Sequence, residues 1–204
     1  RSVYNLGHGA LGRFSEVLDR ALLTMHRGDE AVLFCQPQYA FGGSGASSRY
    51  AQRPAKVTLI LEEIFEVLDV SFVGSGTILK KRIREGEGKD TANDSAQVSV
   101  RVMSVTANGE VLEGVALPQL VDFTAGNGEV CDALEASVLH MRIGEEALVR
   151  CMQPDEASGG LLGLPANLQA PVLIRVEMVK FEKVPDRWDM QARQRIDHCR
   201  QRKE

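Results

Sequence analysis

The chain states one pattern twice. Residues Leu22-Leu23-Thr24-Met25-His26-Arg27-Gly28-Asp29-Glu30-Ala31-Val32-Leu33-Phe34-Cys35 reappear 116 positions later, without a gap, as Val138 through Cys151. At that offset Gly12 falls on Gly128, Leu18 on Leu134, Met25 on Met141, Gly28 on Gly144, Ala31 on Ala147 and Cys35 on Cys151. A repeat this long specifies two copies of a domain rather than the short stacking unit of a solenoid. The second copy has strand-like sequence upstream of the match, from about Thr77 to Phe123, and the equivalent of most of that region would lie before residue 1. The expectation is a first domain over 1–70 holding only its C-terminal half, a complete second domain over 71–184, and a terminal segment over 185–204.

Each copy reads in the same order. Phe14, Val17, Leu18, Ala21, Leu22 and Met25 recur at helical spacing, as do Val130, Leu134, Val138 and Met141. Gly28 or Gly144 ends the helical stretch, and the Ala/Val/Leu/Cys-rich runs 30–36 and 146–152 read as buried strands. A Gly-rich loop follows, and a long strand closes each copy, near Lys56–Val67 and Pro171–Lys183. Upstream in the second copy, strands are expected near 77–85, 97–106 and 121–123. Asn108-Gly109 is a hairpin turn because both residues accept positive φ. One helix embraced by antiparallel strands is an α+β domain. Asp69–Ser75 is the expected linker, and Asp186–Glu204 reads as a charged helix carrying Trp188, Met190, Ile196 and Cys199.

Charge and cysteines narrow the function classes. The net charge of −4 argues against a general nucleic-acid binder, which needs a basic face to displace counterions. The apolar runs are too short to span a bilayer. The four cysteines, Cys35, Cys131, Cys151 and Cys199, form no CxxC pair and no zinc spacing with His, so buried free thiols in a reducing compartment are expected, with no metal or cofactor. Gly7-His8-Gly9-Ala10-Leu11-Gly12 is a literal GxGxxG. It lacks the preceding buried strand of a dinucleotide fold, and its counterpart Ala125-Gly126-Asn127-Gly128 breaks the pattern, so it reads as a turn before a helix. His8, His26, His140 and His198 are scattered, and Glu62-Glu63 reads as a solvated edge.

The run Ala21-Leu22-Leu23-Thr24-Met25-x-x-Gly28-Asp29-Glu30-Ala31-x-Leu33, followed by Gln36-Pro37-Gln38-Tyr39-Ala40-Phe41-Gly42, resembles the FKBP family of peptidyl-prolyl isomerases. In the second copy Ile78-Leu79-Lys80-Lys81-Arg82-Ile83-Arg84-Glu85-Gly86-Glu87-Gly88 resembles that family's opening strand. The tail from Arg187-Trp188-Asp189-Met190 to Lys203-Glu204 resembles the linker helix that leads, in large FKBPs, into tetratricopeptide repeats. The resemblance implies two FKBP-like domains, each an antiparallel sheet wrapped around one short helix. It also implies isomerisation of the bond before proline, whose barrier of about 18–20 kcal/mol comes from partial C–N double-bond character. The family uses no nucleophile or metal, only an aromatic-lined pocket that desolvates and twists the peptide.

Carried onto this chain, that pocket has lost its aromatic walls. In the first copy Leu18 stands for the helix Trp, Phe41 for the loop Tyr and Leu61 for the last Phe. In the second copy Val102 replaces a Tyr, Leu112-Glu113 a Phe-Asp pair and Val121 a second Phe. Val130-Cys131 stands for Val-Ile, Leu134 for the Trp and Ile174 for the last Phe. No residue is assigned a catalytic role, and the second domain is expected to be inactive. Three functions are open: a binding or scaffold module of a multidomain, chaperone-associated, cytoplasmic immunophilin; an isomerase acting through a completed first domain; or a docking component of a large assembly. The partners implied are protein clients or proline-containing peptides, and a heat-shock chaperone only through a C-terminal repeat outside these residues. No nucleic acid or membrane is implied.

Overall fold

The computed structural model describes residues 3–7, 9, 11–40, 53–112, 114–185 and 191–193. The chain divides into two compact units, Arg1–Ile64 and Phe65–Glu204. Trp188, Met190, Ile196 and Cys199 of the expected tail helix and the loop carrying Phe41 lie outside the described residues, as do His8, His198 and Glu113.

The first unit holds helix α1 (Arg13–Leu22), strand β1 (Glu30–Cys35), a 3-10 turn (Pro37–Tyr39) and strand β2 (Ala55–Ile60). Gly12 turns the chain into α1 at φ 60°, and the Ser15 hydroxyl accepts the Leu11 N–H at 3.0 Å. Glu16 in the first turn and Arg20 in the last pair across one helical turn at 2.8 Å, with the signs the helix dipole favours. β1 and β2 pair antiparallel from Glu30↔Ile60 to Cys35↔Ala55. Among the described residues of this unit only Ser15, Leu18 and Cys35 are buried, and Phe34 is 78% exposed. A two-stranded sheet with so little covered apolar surface is marginal by itself.

The second unit is built on a seven-stranded antiparallel sheet. Its strands are β3 (Val67–Asp69), β4 (Ile78–Arg84), β5 (Gln97–Ala107), β6 (Glu110–Val111), β7 (Gln119–Thr124), β8 (Glu146–Cys151) and β9 (Val172–Glu182), with helix α2 (Asp132–Val138) before β8. The strand order is β3-β4-β8-β9-β5-β6, and β7 pairs with β5. Strand alternation decides what faces in. Val172, Ile174, Val176 and Met178 of β9 are buried, while Arg175 and Glu177 between them reach the outer face. There Arg175 pairs with Glu146, and Glu177 with Arg84 and Arg101 at 2.7 Å each. The helix α2 is too short to persist alone. It is held because Ala133, Leu134, Ala136, Ser137 and Val138 are all buried. Each fully buried Leu or Val contributes roughly 1.5–3 kcal/mol, as an upper estimate.

The two units repeat each other down to single hydrogen bonds. The Gly28 N–H donates to the Leu61 carbonyl at 2.6 Å and Leu61 returns its N–H to Asp29 at 2.9 Å. Gly144 and Met178 do the same at 2.8 Å, with Met178 donating to Glu145 at 2.9 Å. Asp29 also accepts the His26 N–H at 2.7 Å, as Glu145 accepts that of Arg142 at 3.1 Å. Gly28 and Gly144 sit at φ 90° and 75°, which only glycine adopts readily.

Two expectations about the first copy's end are corrected. The closing strand near Lys56–Val67 stops at Ile60, and Val67–Asp69 is a separate strand, paired with Lys81–Leu79 of β4. Gly28 turns β1 away just where Leu61 takes its last β1 partner, so the ladder between β1 and β2 goes no further. In the second unit β9 runs on to Glu182 because Gln97–Ser99 of β5 lie beside it. The linker expected at Asp69–Ser75 is instead a hairpin inside the second unit. Asp69 accepts the N–H groups of Ser71 at 3.0 Å and Gly76 at 2.9 Å, as well as the Ser71 hydroxyl. Those hydrogen bonds hold its carboxyl below the usual range. The units accordingly divide at Ile64/Phe65, ahead of the boundary expected at residue 70.

Candidate functional site

The second copy's candidate residues come from five parts of the fold and belong to one core cluster. Val102 of β5 sits opposite Val176, and Val105 opposite Ile174. Val121 of β7 pairs with Val100. Val130 and Cys131 lead into α2, and Leu134 lies in its first turn. Leu112 is partly buried against this cluster and donates its N–H to Val105 at 3.1 Å. The structure therefore brings together every candidate of the second copy that lies among the described residues.

What it brings together is a packed core and not an open cleft. Val102, Val121, Val130, Cys131, Leu134 and Ile174 are each at most 3% exposed. A side chain with no accessible surface cannot receive a proline ring unless the structure opens. The segment after β8 packs into the same core. Leu162, Leu164 and Leu168 are buried in the same cluster, and the Leu161 N–H donates to Glu129 just ahead of α2 at 2.8 Å. Gly160 rests directly on the backbone there. A Cβ at that position would stand 2.6 Å from Val130 Cα and 2.9 Å from the Cys131 nitrogen. Burial pushes the Cys131 thiol up and raises that of Cys151 to about 11. Both cysteines are therefore protonated apolar wall rather than nucleophiles.

The first copy's candidates are Leu18, buried in α1, and Leu61, half-buried just past β2. Leu18 matches Leu134. Leu61 does not match Ile174. Cys35↔Ala55 and Cys151↔Val172 are equivalent pairs, so the loop before the last strand is one residue longer in the second copy and the offset there becomes 117. Leu61 then corresponds to Met178, and Ile174 to Val57. The two cannot both stand for one pocket residue, and the position equivalent to Ile174 in the first copy is Val57.

Sequence reasoning missed a buried ion pair. Lys80 of β4, 5% exposed, donates to Glu145, 1% exposed, and to the His140 carbonyl at 2.5 Å. The signal lay in β4, whose inward alternation Ile78-Lys80 places an ammonium among apolar positions, and in the acidic residue that follows the turn glycine of both copies. The pair forms the floor of a shallow cleft of about 200 Å³ lined by Glu66, Leu68, Arg82, Lys89, Thr91, His140 and Arg142. Burial and the Lys80 charge push the His140 imidazole down. Among the described residues no group of three His, Cys, Asp or Glu could hold a metal ion.

Comparison with known proteins agrees with this architecture. Residues 88–160 match the family model described as FKBP-type peptidyl-prolyl cis-trans isomerase. The chain is 28% identical over 209 residues to mouse peptidyl-prolyl cis-trans isomerase FKBP4, covering 95% of this chain and 42% of that protein. It is 27% identical over 205 residues to FK506-binding protein 59 of Drosophila melanogaster, covering 95% and 44%. It therefore spans less than half the length of these relatives. The crystal structure of the three FKBP domains of wheat FKBP73 superposes with a TM-score of 0.65 at 25% identity, covering 84% of this chain and 77% of that one. The second unit thus holds an FKBP-type domain, in a chain homologous to multidomain immunophilins of the FKBP4 and FKBP59 kind.

Proposed function

We propose that the second unit serves as a protein-binding or scaffold module of a multidomain immunophilin and does not catalyse prolyl isomerisation. One observation carries the reading: the residues that stand where the family lines its proline pocket are aliphatic and buried, in one core cluster with Leu162, Leu164 and Leu168. An aliphatic wall lacks the aromatic face that packs on a proline ring, and a filled one offers no volume to desolvate a substrate. We place the protein in the cytoplasm, with protein clients as partners. A chaperone contact would run through tetratricopeptide repeats outside these residues. Isomerase activity through a first domain completed by further strands is the second reading, favoured by the exposed Phe34 face of β1.

The test is a titration of the 204-residue chain with a macrolide that fills FKBP proline pockets, followed by methyl NMR of Val102, Leu134 and Ile174. No shift of these methyls is expected. Saturable shifts would show that the pocket opens and would overturn the reading for the second unit.

A further inference from the structure

The cleft above the Lys80–Glu145 pair carries more cations than acids in its lining. Its lining holds four cations, Lys80, Arg82, Lys89 and Arg142, and two acids, Glu66 and Glu145. Both acids are already taken: Glu145 by Lys80, and Glu66 by Arg82. Lys89 and Arg142 have no ion-pair partner among the described residues. A chain of net charge −4 thus presents two uncommitted positive charges in one concavity, beside the Thr91 hydroxyl and the His140 imidazole.

The frame around these groups is rigid. Lys80 and Glu145 lock β4 to the turn after α2, and Glu145 also holds the Arg142 N–H, so the turn that carries Arg142 is fixed from below. The Gly86 backbone lies against that turn: a Cβ there would stand 2.7 Å from Arg142 Cβ and from the Ile143 carbonyl oxygen. Arg82 is fixed by Glu66 and by Glu85 at 3.6 Å. An anion entering the cleft would meet donors whose backbone is already positioned, which reduces the ordering cost of binding.

We propose that this cleft is an anion subsite that takes the phosphorylated side chain of a protein partner. Two cations and a hydroxyl match a phosphate dianion, with its three acceptor oxygens, better than a single carboxylate. No aromatic side chain lines the cleft, so a base has nothing to stack on, which argues against a nucleotide or nucleic acid. The inference rests on the reading of this unit as a binding module and assigns that role to residues other than the filled proline pocket.

The experiment titrates the 204-residue chain with a short alanine-glycine peptide bearing one phosphoserine, with its serine and glutamate counterparts, and with inorganic phosphate. Backbone NMR shifts are followed at Lys89, Thr91, His140 and Arg142. The phosphopeptide is expected to shift these four and the serine peptide to leave them unmoved. Lys89→Ala and Arg142→Gln should each weaken binding by about tenfold, the loss of one charge-assisted hydrogen bond, while Lys180→Ala changes nothing. Circular dichroism establishes that each variant is folded. No shift at millimolar phosphopeptide overturns the subsite. Equal affinity for inorganic phosphate overturns the assignment to a partner's side chain. Equal affinity for the glutamate peptide overturns the preference for phosphate. The methyls of the proline pocket report separately, so failure here is distinguishable from failure of the parent reading.

Discussion

Replacing Lys80 with Met should be among the most destabilising single changes in the second unit. The ammonium is 5% exposed and serves two acceptors, the Glu145 carboxylate and the His140 carbonyl. Met fills similar volume but satisfies neither. Glu145, 1% exposed, becomes a buried charge without a counterion, and breaking a buried pair in this way costs about 3–5 kcal/mol. A second change separates the charge from the packing. In Lys80→Met/Glu145→Gln the amide oxygen still accepts the Arg142 N–H and the stranded charge is gone. The double variant should then recover all but about 1–2 kcal/mol, the worth of the neutral hydrogen bonds lost. Urea unfolding followed by far-ultraviolet circular dichroism measures the totals. Amide hydrogen exchange in β4 and β8 locates the loss, because Lys80 and Val149 are paired there. A cost for Lys80→Met below about 1 kcal/mol would refute the burial argument. So would a double variant less stable than the single one.

Neighbouring glycines test the seating of the loop over the pocket. Gly160→Ala should cost about 2–5 kcal/mol in thermal unfolding, from positive φ and collision with Val130 together. Gly159→Ala, at φ 75° with open space, should cost only about 1–2 kcal/mol. Cys151 links stability to alkaline pH. Its folded thiol is raised from 9.0 to about 11, so its contribution is intact below pH 9 and is lost as pH rises through 11. Denaturation midpoints should therefore fall across that window in the native chain and fall less in Cys151→Ala. Hydrogen exchange should separate the repeats: β1 and β2 amides should exchange far faster than those of β8 and β9, and equal protection would mean that further strands cover the first unit.

The strands and both helices could be read from the chain because their signals are local. Alternation marks β9, helical spacing marks α1, and Asn108-Gly109 marks its hairpin, where both residues adopt positive φ, 50° and 85°. β3 could not, since Val67, Leu68 and Asp69 are all exposed and carry no alternation. The pairing of Lys80 with Glu145 spans 65 residues and depends on β4 lying beside β8. The mismatch of Leu61 and Ile174 is one of register: the last strands match at Leu61 and Met178, four positions beyond Ile174, and because four is even both Ile174 and Met178 face the core, so alternation alone does not tell them apart. The second copy's candidate residues could be named from the sequence. That the loop carrying Leu162 and Leu164 joins the same core could not be read there, because it follows from a close approach of Gly160 to Val130 that no spacing rule encodes.

Central to the proposed function is that the second unit's candidate pocket residues are closed within its core. A protease-coupled assay of the 204-residue chain on a proline-containing peptide tests this directly. The expected result is a cis-to-trans rate that does not rise above the uncatalysed rate at any protein concentration. A rate that increases in proportion to the chain, and that falls when Leu134→Ala or Ile174→Ala is introduced into folded protein, would place an active site where the structure puts a closed core and would contradict the account.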